Sequence, residues 1–413
     1  MSKIVLPKQI PDAFQLIKDN ALLEKLQKDG RFPPVSVSVT PLGAGREPFY
    51  STKFLSYNFS SNILVPVDTF SFSLAMDEFD LFDIPVQEGD LITLRANAQL
   101  LSTGIVDTVE VETDAQTGTK IHVSGRDLMS QLEDQDAVSL TSEIIFGKTL
   151  TVSAAVNKLI ENTRIQGVTT RNAPTKGYLL ATQPGETKLS ALQRYMEPLN
   201  ILAWMGPGGS IIIGKPDMYA QATGRLFMSR KRRESNVLSI RSTRSSTSIP
   251  NAIVAIWNSQ ANIQSKVSKE QVLYNKNKGP LRLYQKGHIV PRAVIVSNPD
   301  GNSPQDLSQV NDINIANQQK AGSSNLLQAY AKREMARANI KELQVQIQML
   351  GHYNHMAEPF MPDKVYNVEY DIDNLNEDMY LYGVEYTFSE DQGQRTNLFL
   401  CRQNCIVADY KVV

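Results

Sequence analysis

The 413-residue chain is long enough for several domains, and a hydrophobic share of 41% is sufficient for folded cores. Its 42 basic and 43 acidic residues nearly cancel, which argues against a partner held by net charge, such as nucleic acid or an anionic membrane. We find no signal peptide and no apolar run of the ~20 residues that cross a bilayer. We therefore expect no stable membrane insertion and a protein that stays in, or is assembled in, the cytosol.

The two cysteines, Cys401 and Cys405, lie four positions apart at the end of a predicted strand. At the rise of an extended chain their Cα atoms would be ~13 Å apart, which is too far for a disulfide. We expect unpaired thiols in a reducing compartment.

Residues 1–32 are predicted to form a helical extension, because their apolar side chains recur at helical spacing and a glycine follows. From residue 33 the hydrophobic period changes to two, as in residues 35–39 and 70–74, where Val, Phe and Leu alternate with Ser. Strict alternation is typical of half-buried strands. Residues 33–135 are therefore predicted to form a first small antiparallel β-barrel.

Residues 136–216 change to an α+β pattern. Apolar residues at helical spacing predict helices at 151–160 and 188–197. Two apolar strands, 201–205 and 210–213, flank a Gly-Pro-Gly-Gly turn and predict a hairpin. This segment is predicted to be a middle α+β domain.

Residues 217–250 are polar and rich in Ser and Arg, and are predicted to be a connector. The connector contains a basic run that we interpret as candidate assembly contacts or channel lining: Arg230, Lys231, Arg232 and Arg233. A nucleic-acid patch is the alternative interpretation. No aromatic stacking residue accompanies the run and Glu234 follows it, which favours a solvated edge or subunit contact.

Strand patterns return after the connector. Residues 251–297 and 342–402 are predicted to form a second β-barrel, with a linker and helix, 298–341, inserted between its two parts. Residues 403–413 are predicted to be a C-terminal tail.

Two stretches within the predicted barrels resemble each other. Gly104 and Gly383 each open a strand, and an acidic turn leads through Gly118 or Gly393 to an alternating return strand, so the stretches lie 279 residues apart (383 minus 104). Two unrelated hairpins are the alternative, because acidic Gly turns are common hairpin chemistry. The matching strand before each stretch favours duplication. The predicted fold is mainly β with α+β insertions: two similar small antiparallel β-barrels plus a middle α+β domain.

The sequence shows no arrangement typical of catalysis. Nucleophile motifs, a separated carboxylate pair and a phosphate-binding Gly-Lys loop are all missing from the pattern. His352, His355 and Glu358 superficially suggest a metal site, but their spacing fits no predicted helix and no third ligand is convincing. We expect no enzyme activity, no metal and no cofactor.

Several short motifs carry a family resemblance. Asp68-Thr-Phe-Ser-Phe-Ser-Leu74, Gly104-Ile-Val-Asp107 and His122-Val-Ser-Gly-Arg-Asp127 resemble the first barrel of baseplate hub proteins of contractile phage tails. The Mu-like tail hub family is the nearest group, and the N-terminal part of type VI secretion spike proteins is a more distant one. Pro184-Gly-Glu-Thr187 is similar to the middle domain of that family, and Pro362-Asp363 to its C-terminal barrel.

The resemblance covers residues 33–402 and implies a non-enzymatic structural homotrimer with pseudo-sixfold symmetry. The implied partners are a tail tube or tube-initiator protein, the central spike protein and baseplate wedge proteins, with no specific nucleic acid. The implied place is the tail baseplate of a virion, assembled in the host cytoplasm and acting in penetration of the host cell envelope. The alternative from another class is a cell-wall-binding or peptidoglycan-active tail protein, suggested by Gly185-Glu-Thr187 before a short helix.

Overall fold

The computed structural model describes residues 35–43, 45–76, 84–96, 99–114, 118–137, 151–173, 185–196, 199, 201–229, 235–244, 252–258, 270–274, 291–297, 340, 343–403 and 405. For the three ranges between 252 and 297 it describes the backbone only. The predicted extension 1–32, the basic run Arg230–Arg233 and all of 298–341 except Ile340 lie outside the described residues.

Seven strands form the first part of the chain, and their alternating side chains explain them. Val35, Val37 and Val39 of the first strand are fully buried, while the Thr at its end is exposed. The strands are β1 (Val35–Thr40), β2 (Phe49–Ser51), β3 (Ser56–Asn62), β4 (Thr69–Met76), β5 (Leu91–Ala96), β6 (Gln99–Asp114) and β7 (Gly118–Asp127).

The middle of the chain is an α+β unit, as predicted. Its elements are α1 (Ser130–Asp134), α2 (Val152–Leu159), β8 (Val168–Arg171), α3 (Lys188–Met196), β9 (Leu202–Met205) and β10 (Ile211–Gly214). Thr151 caps α2, because its Oγ1 accepts a hydrogen bond from the Ala154 amide at 3.2 Å. The three strands form their own sheet in the order β8-β10-β9, and the helices bury a separate core against it.

Nine strands complete the described chain. They are β11 (Gly224–Met228), β12 (Ser239–Arg244), β13 (Ala252–Asn258), β14 (Glu270–Tyr274), β15 (Pro291–Ser297), β16 (Leu343–Leu350), β17 (Lys364–Tyr370), β18 (Leu375–Ser389) and β19 (Gly393–Arg402). Cys401, near the end of β19, and Cys405 are buried and free.

One large sheet joins the two ends of the chain. Thirteen strands take part, along the order β12-β16-β19-β18-β3-β4-β7-β6-β5-β1-β2, with β17 pairing β18 and β11 pairing β17. A single hydrophobic core packs against this sheet and includes Phe59 and Phe72 from the first part together with Ile347 and Tyr386 from the last. The predicted mainly β fold with an α+β insertion is confirmed.

The structure corrects two predictions about the second barrel. The strands within 251–297 pair only with one another among the described residues, in the order β14-β13-β15, and do not extend the large sheet. Conversely, β11 and β12 lie inside the predicted connector 217–250 and belong to the large sheet. The large sheet is an open path along its described strands, so two separate closed barrels are not observed.

Candidate assembly surface

Two long hairpins share the same turn geometry. Asp114 pairs with Gly118 at the end of β6–β7, and Ser389 pairs with Gly393 at the end of β18–β19. Gly118 has φ 81° and Gly393 has φ 66°, which is the left-handed region that glycine enters without strain. The two glycines lie 275 residues apart (393 minus 118) and hold equivalent positions, as the sequence predicts.

The same offset describes an irregularity inside each hairpin. The pairing of β6 with β7 shifts between Val106 and Thr108, which leaves Asp107 as the extra residue. The pairing of β18 with β19 shifts between Leu381 and Gly383, which leaves Tyr382 as the extra residue. These bulged residues are again 275 apart (382 minus 107). A bulge fixes local register and twist, so the hairpins are equivalent residue by residue.

Gly104 and Gly383, the other pair from the sequence, are not equivalent. At the observed offset Gly104 corresponds to Met379 and Gly383 to Thr108. Each glycine is instead explained by its own neighbour: a Cβ on Gly104 would lie 2.4 Å from the Arg126 carbonyl oxygen, and a Cβ on Gly383 would lie 3.2 Å from the Asn62 side chain. The predicted spacing of 279 was wrong by the difference between these two local constraints.

The strands beside the hairpins repeat as well. Strand β4 pairs with β7 and β16 pairs with β19 at the same offset, since Ala75 lies opposite Lys120 and Leu350 lies opposite Arg395. On the other side β5 pairs with β6 and β17 pairs with β18. We call β5-β6-β7-β4-β3 unit A and β17-β18-β19-β16-β12 unit B, each named in its order across the sheet.

Unit A joins unit B through one antiparallel pairing. Strand β3 pairs with the second half of β18, from Asn62 opposite Gly383 to Ser56 opposite Ser389. On the face of the sheet away from the core, Asn58 Nδ2 donates to Glu385 Oε1 at 3.0 Å. Glu385 Oε2 accepts a second hydrogen bond from Asn397 Nδ2 at 2.9 Å. We call this pairing the internal joint.

Beneath the internal joint lies a buried hydrogen-bonded chain. The Thr396 hydroxyl donates to the Gly351 carbonyl at 2.7 Å, so its oxygen accepts from His352 Nδ1 at 2.8 Å. His352 Nε2 then accepts from the Tyr57 hydroxyl at 2.6 Å. Burial lowers the pKa of His352 to about 3, which keeps the imidazole neutral. His352 therefore links unit A to unit B.

The metal site that His352, His355 and Glu358 superficially suggest is not assembled. Both ring nitrogens of His352 are engaged by hydroxyl groups. The His355 ring instead lies against Gly224, where an added Cβ would come within 2.7 Å of it. In the part of the chain that the structure describes, no group of three or more His, Cys, Asp or Glu side chains is placed to hold a metal ion.

A second polar cluster ties the middle unit to unit B. The Asp363 carboxylate pairs with Arg171 of β8 and accepts hydrogen bonds from the Asp217 amide and the Tyr380 hydroxyl, each at 2.8 Å. Burial raises the pKa of Asp363. Because the carboxylate has three donors around it, it is a specific anchor between the two parts of the molecule.

Two carboxyl groups meet where β4 begins and β7 ends. The Asp68 amide donates to Asp127 Oδ2 at 3.1 Å, and Asp127 Oδ1 accepts from the Met129 amide at 2.9 Å. Burial raises the pKa of Asp68 to about 7, and burial together with the Asp68 charge raises the pKa of Asp127. These carboxyl groups are therefore sensitive to pH near neutrality.

Unit A presents an edge that unit B covers. Strand β5 pairs with β6 only as far as Ile105, and no described strand pairs with the same edge of residues 107–114. Val111 is 44% exposed, whereas its counterpart Tyr386 is 2% exposed. Three acidic residues stand on this edge, namely Glu110, Glu112 and Asp114.

Strand β12 presents the complementary edge. It pairs with β16 on one side, and no described strand pairs with its other side. Arg241 and Thr243 point away from the core and are exposed, while Ile240 between Ser239 and Arg241 is buried. Sequence reasoning missed this strand, because it has only one buried apolar residue.

Among the described helices none is long and apolar enough to cross a membrane. The candidate assembly contacts Arg230, Lys231, Arg232 and Arg233 lie outside the described residues and stay a prediction.

Comparison with known proteins agrees with this architecture. Residues 50–127, which run from β2 to the end of β7, match the model of the Mu phage baseplate assembly protein GpP-like family, N-terminal domain. No curated protein matches the chain in sequence.

Solved structures match over most of the chain. A tail protein from Neisseria meningitidis is 20% identical, with a TM-score of 0.66, and the match covers 90% of this chain and 97% of that one. The 43 kDa tail protein of prophage MuSo2 from Shewanella oneidensis is 14% identical, with a TM-score of 0.68 and coverage of 90% and 99%. A type VI secretion system component from E. coli is 10% identical, with a TM-score of 0.50 and coverage of 91% and 80%. The chain therefore has the fold of phage tail proteins, and its residues 50–127 are identified as the N-terminal domain of the Mu-like baseplate protein family.

Proposed function

We propose that this protein is the structural baseplate hub of a contractile tail, a homotrimer that joins a sixfold tail tube to a threefold central spike. The observation that carries the proposal is the equivalence of units A and B, which share strand order, hairpin turn and bulge position. Three chains then bring six similar units around one axis. The match of residues 50–127 to a baseplate family and the shared fold with phage tail proteins support it.

A duplicated unit resolves a symmetry problem at low structural cost. A ring of six similar units can contact six identical tube subunits, while the parts that are not duplicated repeat only three times. The α+β unit and the three-stranded sheet β14-β13-β15 have no second copy among the described residues, so they are the parts that impose threefold order. In such a ring each unit takes a barrel-like place beside its neighbours.

The partners follow from this position. One face of the ring contacts the tail tube or a tube-initiator protein, the other face contacts the central spike, and the outside contacts baseplate wedge proteins. The basic run Arg230–Arg233 serves assembly or lines the channel. The protein is a component of the virion tail baseplate that is assembled in the host cytoplasm, and it catalyses no reaction.

Size-exclusion chromatography with light scattering tests the oligomer. Three chains of 46.0 kDa give 138 kDa. Cryo-electron microscopy along the axis should then show six similar densities with threefold differences. A monomer or dimer at micromolar concentration in the absence of partners would contradict the proposal, and so would a lytic band on a peptidoglycan gel from the purified chain.

A further inference from the structure

We infer that β12 of one copy pairs antiparallel with residues 108–114 of β6 in the next copy, with Ser239 opposite Asp114, Arg241 opposite Glu112 and Thr243 opposite Glu110. The inference rests on the proposed homotrimer and specifies its chain-to-chain joint. It follows from the internal joint by the equivalence of units A and B.

The first step establishes that β12 is the counterpart of β3. Phe59 of β3 lies opposite Phe70 of β4, and Ser242 of β12 lies opposite Val345 of β16. Phe70 and Val345 differ by the same 275 that relates the hairpins (345 minus 70). Phe59 and Ser242 are therefore equivalent, and Asn58 corresponds to Arg241.

The second step transfers the register. In the internal joint Asn58 lies opposite Thr387, and Ser56 lies opposite Ser389. Subtracting the offset of 275 from the β18 residues gives Glu112 and Asp114. Replacing the β3 residues by their counterparts gives Arg241 opposite Glu112 and Ser239 opposite Asp114. Both edges are unpaired among the described strands, so nothing there blocks the pairing.

The third step concerns charge. In the internal joint Asn58 reaches diagonally to Glu385. The counterparts of this pair are Arg241 and Glu110 (385 minus 275). An amide–carboxylate hydrogen bond inside the chain thus becomes an arginine–carboxylate ion pair between chains. Lys120 lies across the hairpin from Glu112 and His122 lies across from Glu110, so Glu110 is the carboxylate that lacks a permanently charged partner in its own pair.

The fourth step concerns exposed surface. An unpaired strand edge next to an exposed apolar residue is a template for another strand. Val111 is such a residue, and its counterpart Tyr386 is buried where β3 covers it. Because the β6 edge and the β12 edge are different surfaces of one chain, the contact is head to tail and closes a ring when the rotation fits. Three copies close it with alternating internal and chain-to-chain joints.

Cysteine cross-linking tests the register. The double variant Thr243→Cys with Glu110→Cys places directly opposed cysteines at a distance that a disulfide spans. Under mild oxidation it should give covalent trimers on a non-reducing gel. A mixture of the two single variants should give covalent dimers and nothing larger. The matched control, Thr243→Cys with Glu112→Cys, places the cysteines on a diagonal about 7 Å or more apart and should cross-link poorly.

Charge reversal provides a second test that adds no cysteine. Arg241→Glu should raise the concentration at which the trimer dissociates about tenfold, because attraction becomes repulsion. Adding Glu110→Arg should restore much of the loss. Glu390→Lys, in the exposed turn of the other hairpin, is the control and should leave dissociation unchanged.

The outcomes separate the two proposals. A trimer in light scattering without the Thr243–Glu110 cross-link, or one indifferent to Arg241→Glu, overturns the joint and leaves the hub proposal standing. A wild-type chain that forms no trimer overturns the hub proposal itself. Cross-linked trimers together with rescue by Glu110→Arg support both.

Discussion

Asn58 donates a hydrogen bond to Glu385 over 3.0 Å, although 327 residues separate them in the chain. The contact lies at the internal joint, where the first unit of the chain continues directly into the sheet of the last. Two units folded as separate barrels would not share this contact. The chain instead contains within itself one example of how its units associate.

The buried chain through His352 should be sensitive to loss of a single hydroxyl. In Tyr57→Phe the ring stays but His352 Nε2 loses its donor, which leaves a buried acceptor unpaired. We expect the free energy of unfolding to fall by about 1–3 kcal/mol, measured by urea denaturation. Tyr50→Phe, at an exposed position, is the control and should change it by much less. Equal effects in the two variants would contradict a linking role for His352.

Stability should fall as pH rises toward neutrality because of Asp68. Its pKa is raised from 3.8 to about 7 by burial, so the folded state binds more protons than the unfolded state between these values. The folded state therefore loses stability as pH rises through this window. Asp127, whose pKa is also raised, contributes with the same sign.

Asp68→Asn should flatten this dependence and increase stability at pH 8 relative to wild type, by on the order of 2 kcal/mol. Thermal unfolding between pH 5 and pH 8 measures it. Asp391→Asn, in the exposed hairpin turn, serves as the control. An unchanged slope in Asp68→Asn would show that the Asp68 carboxyl is not the titrating group.

The two hairpin glycines should respond equally to substitution. At Gly118 and Gly393 an added Cβ meets nothing within 4 Å, so the cost of alanine is the left-handed backbone alone. We expect each substitution to lower the free energy of unfolding by about 1–2 kcal/mol. Gly43→Ala is the control, because that position is open and has no positive φ. A large difference between the two hairpins would argue against their equivalence.

Removing the Asp363 carboxylate should loosen the middle unit. Asp363→Ala takes away the acceptor for the Asp217 amide and the Tyr380 hydroxyl and the partner of Arg171. We expect a loss of about 2–4 kcal/mol, since two donors are left unsatisfied and one ion pair is lost. Hydrogen exchange should accelerate in residues 201–229 before it does so in the hairpins. Exchange that accelerates evenly along the chain would indicate a general loss of stability and no anchoring role.

Local pattern was enough to predict several features of this protein. The alternation of Val with Ser in β1 and of Phe with Ser in β4 predicts strands, because each side chain must choose one face of a sheet. The acidic turns at Gly118 and Gly393 predict equivalent hairpins, because few residues other than glycine enter that backbone region. Even the expected family followed from short motifs within these strands.

Other features depended on partners far away in the chain. Strand β12 has one buried apolar residue and is held by β16, about a hundred positions later (345 minus 242). Strand β11 pairs in parallel with β17, so Leu226 lies opposite Val368. Neither strand has a strong period of its own, and both were placed in a polar connector. Which strands join, and that units A and B form one sheet, is decided by non-local pairing and a shared core. The sequence by itself determined the repeated hairpin, whereas the tertiary structure alone decided its true offset and left one edge of each unit open for the next copy.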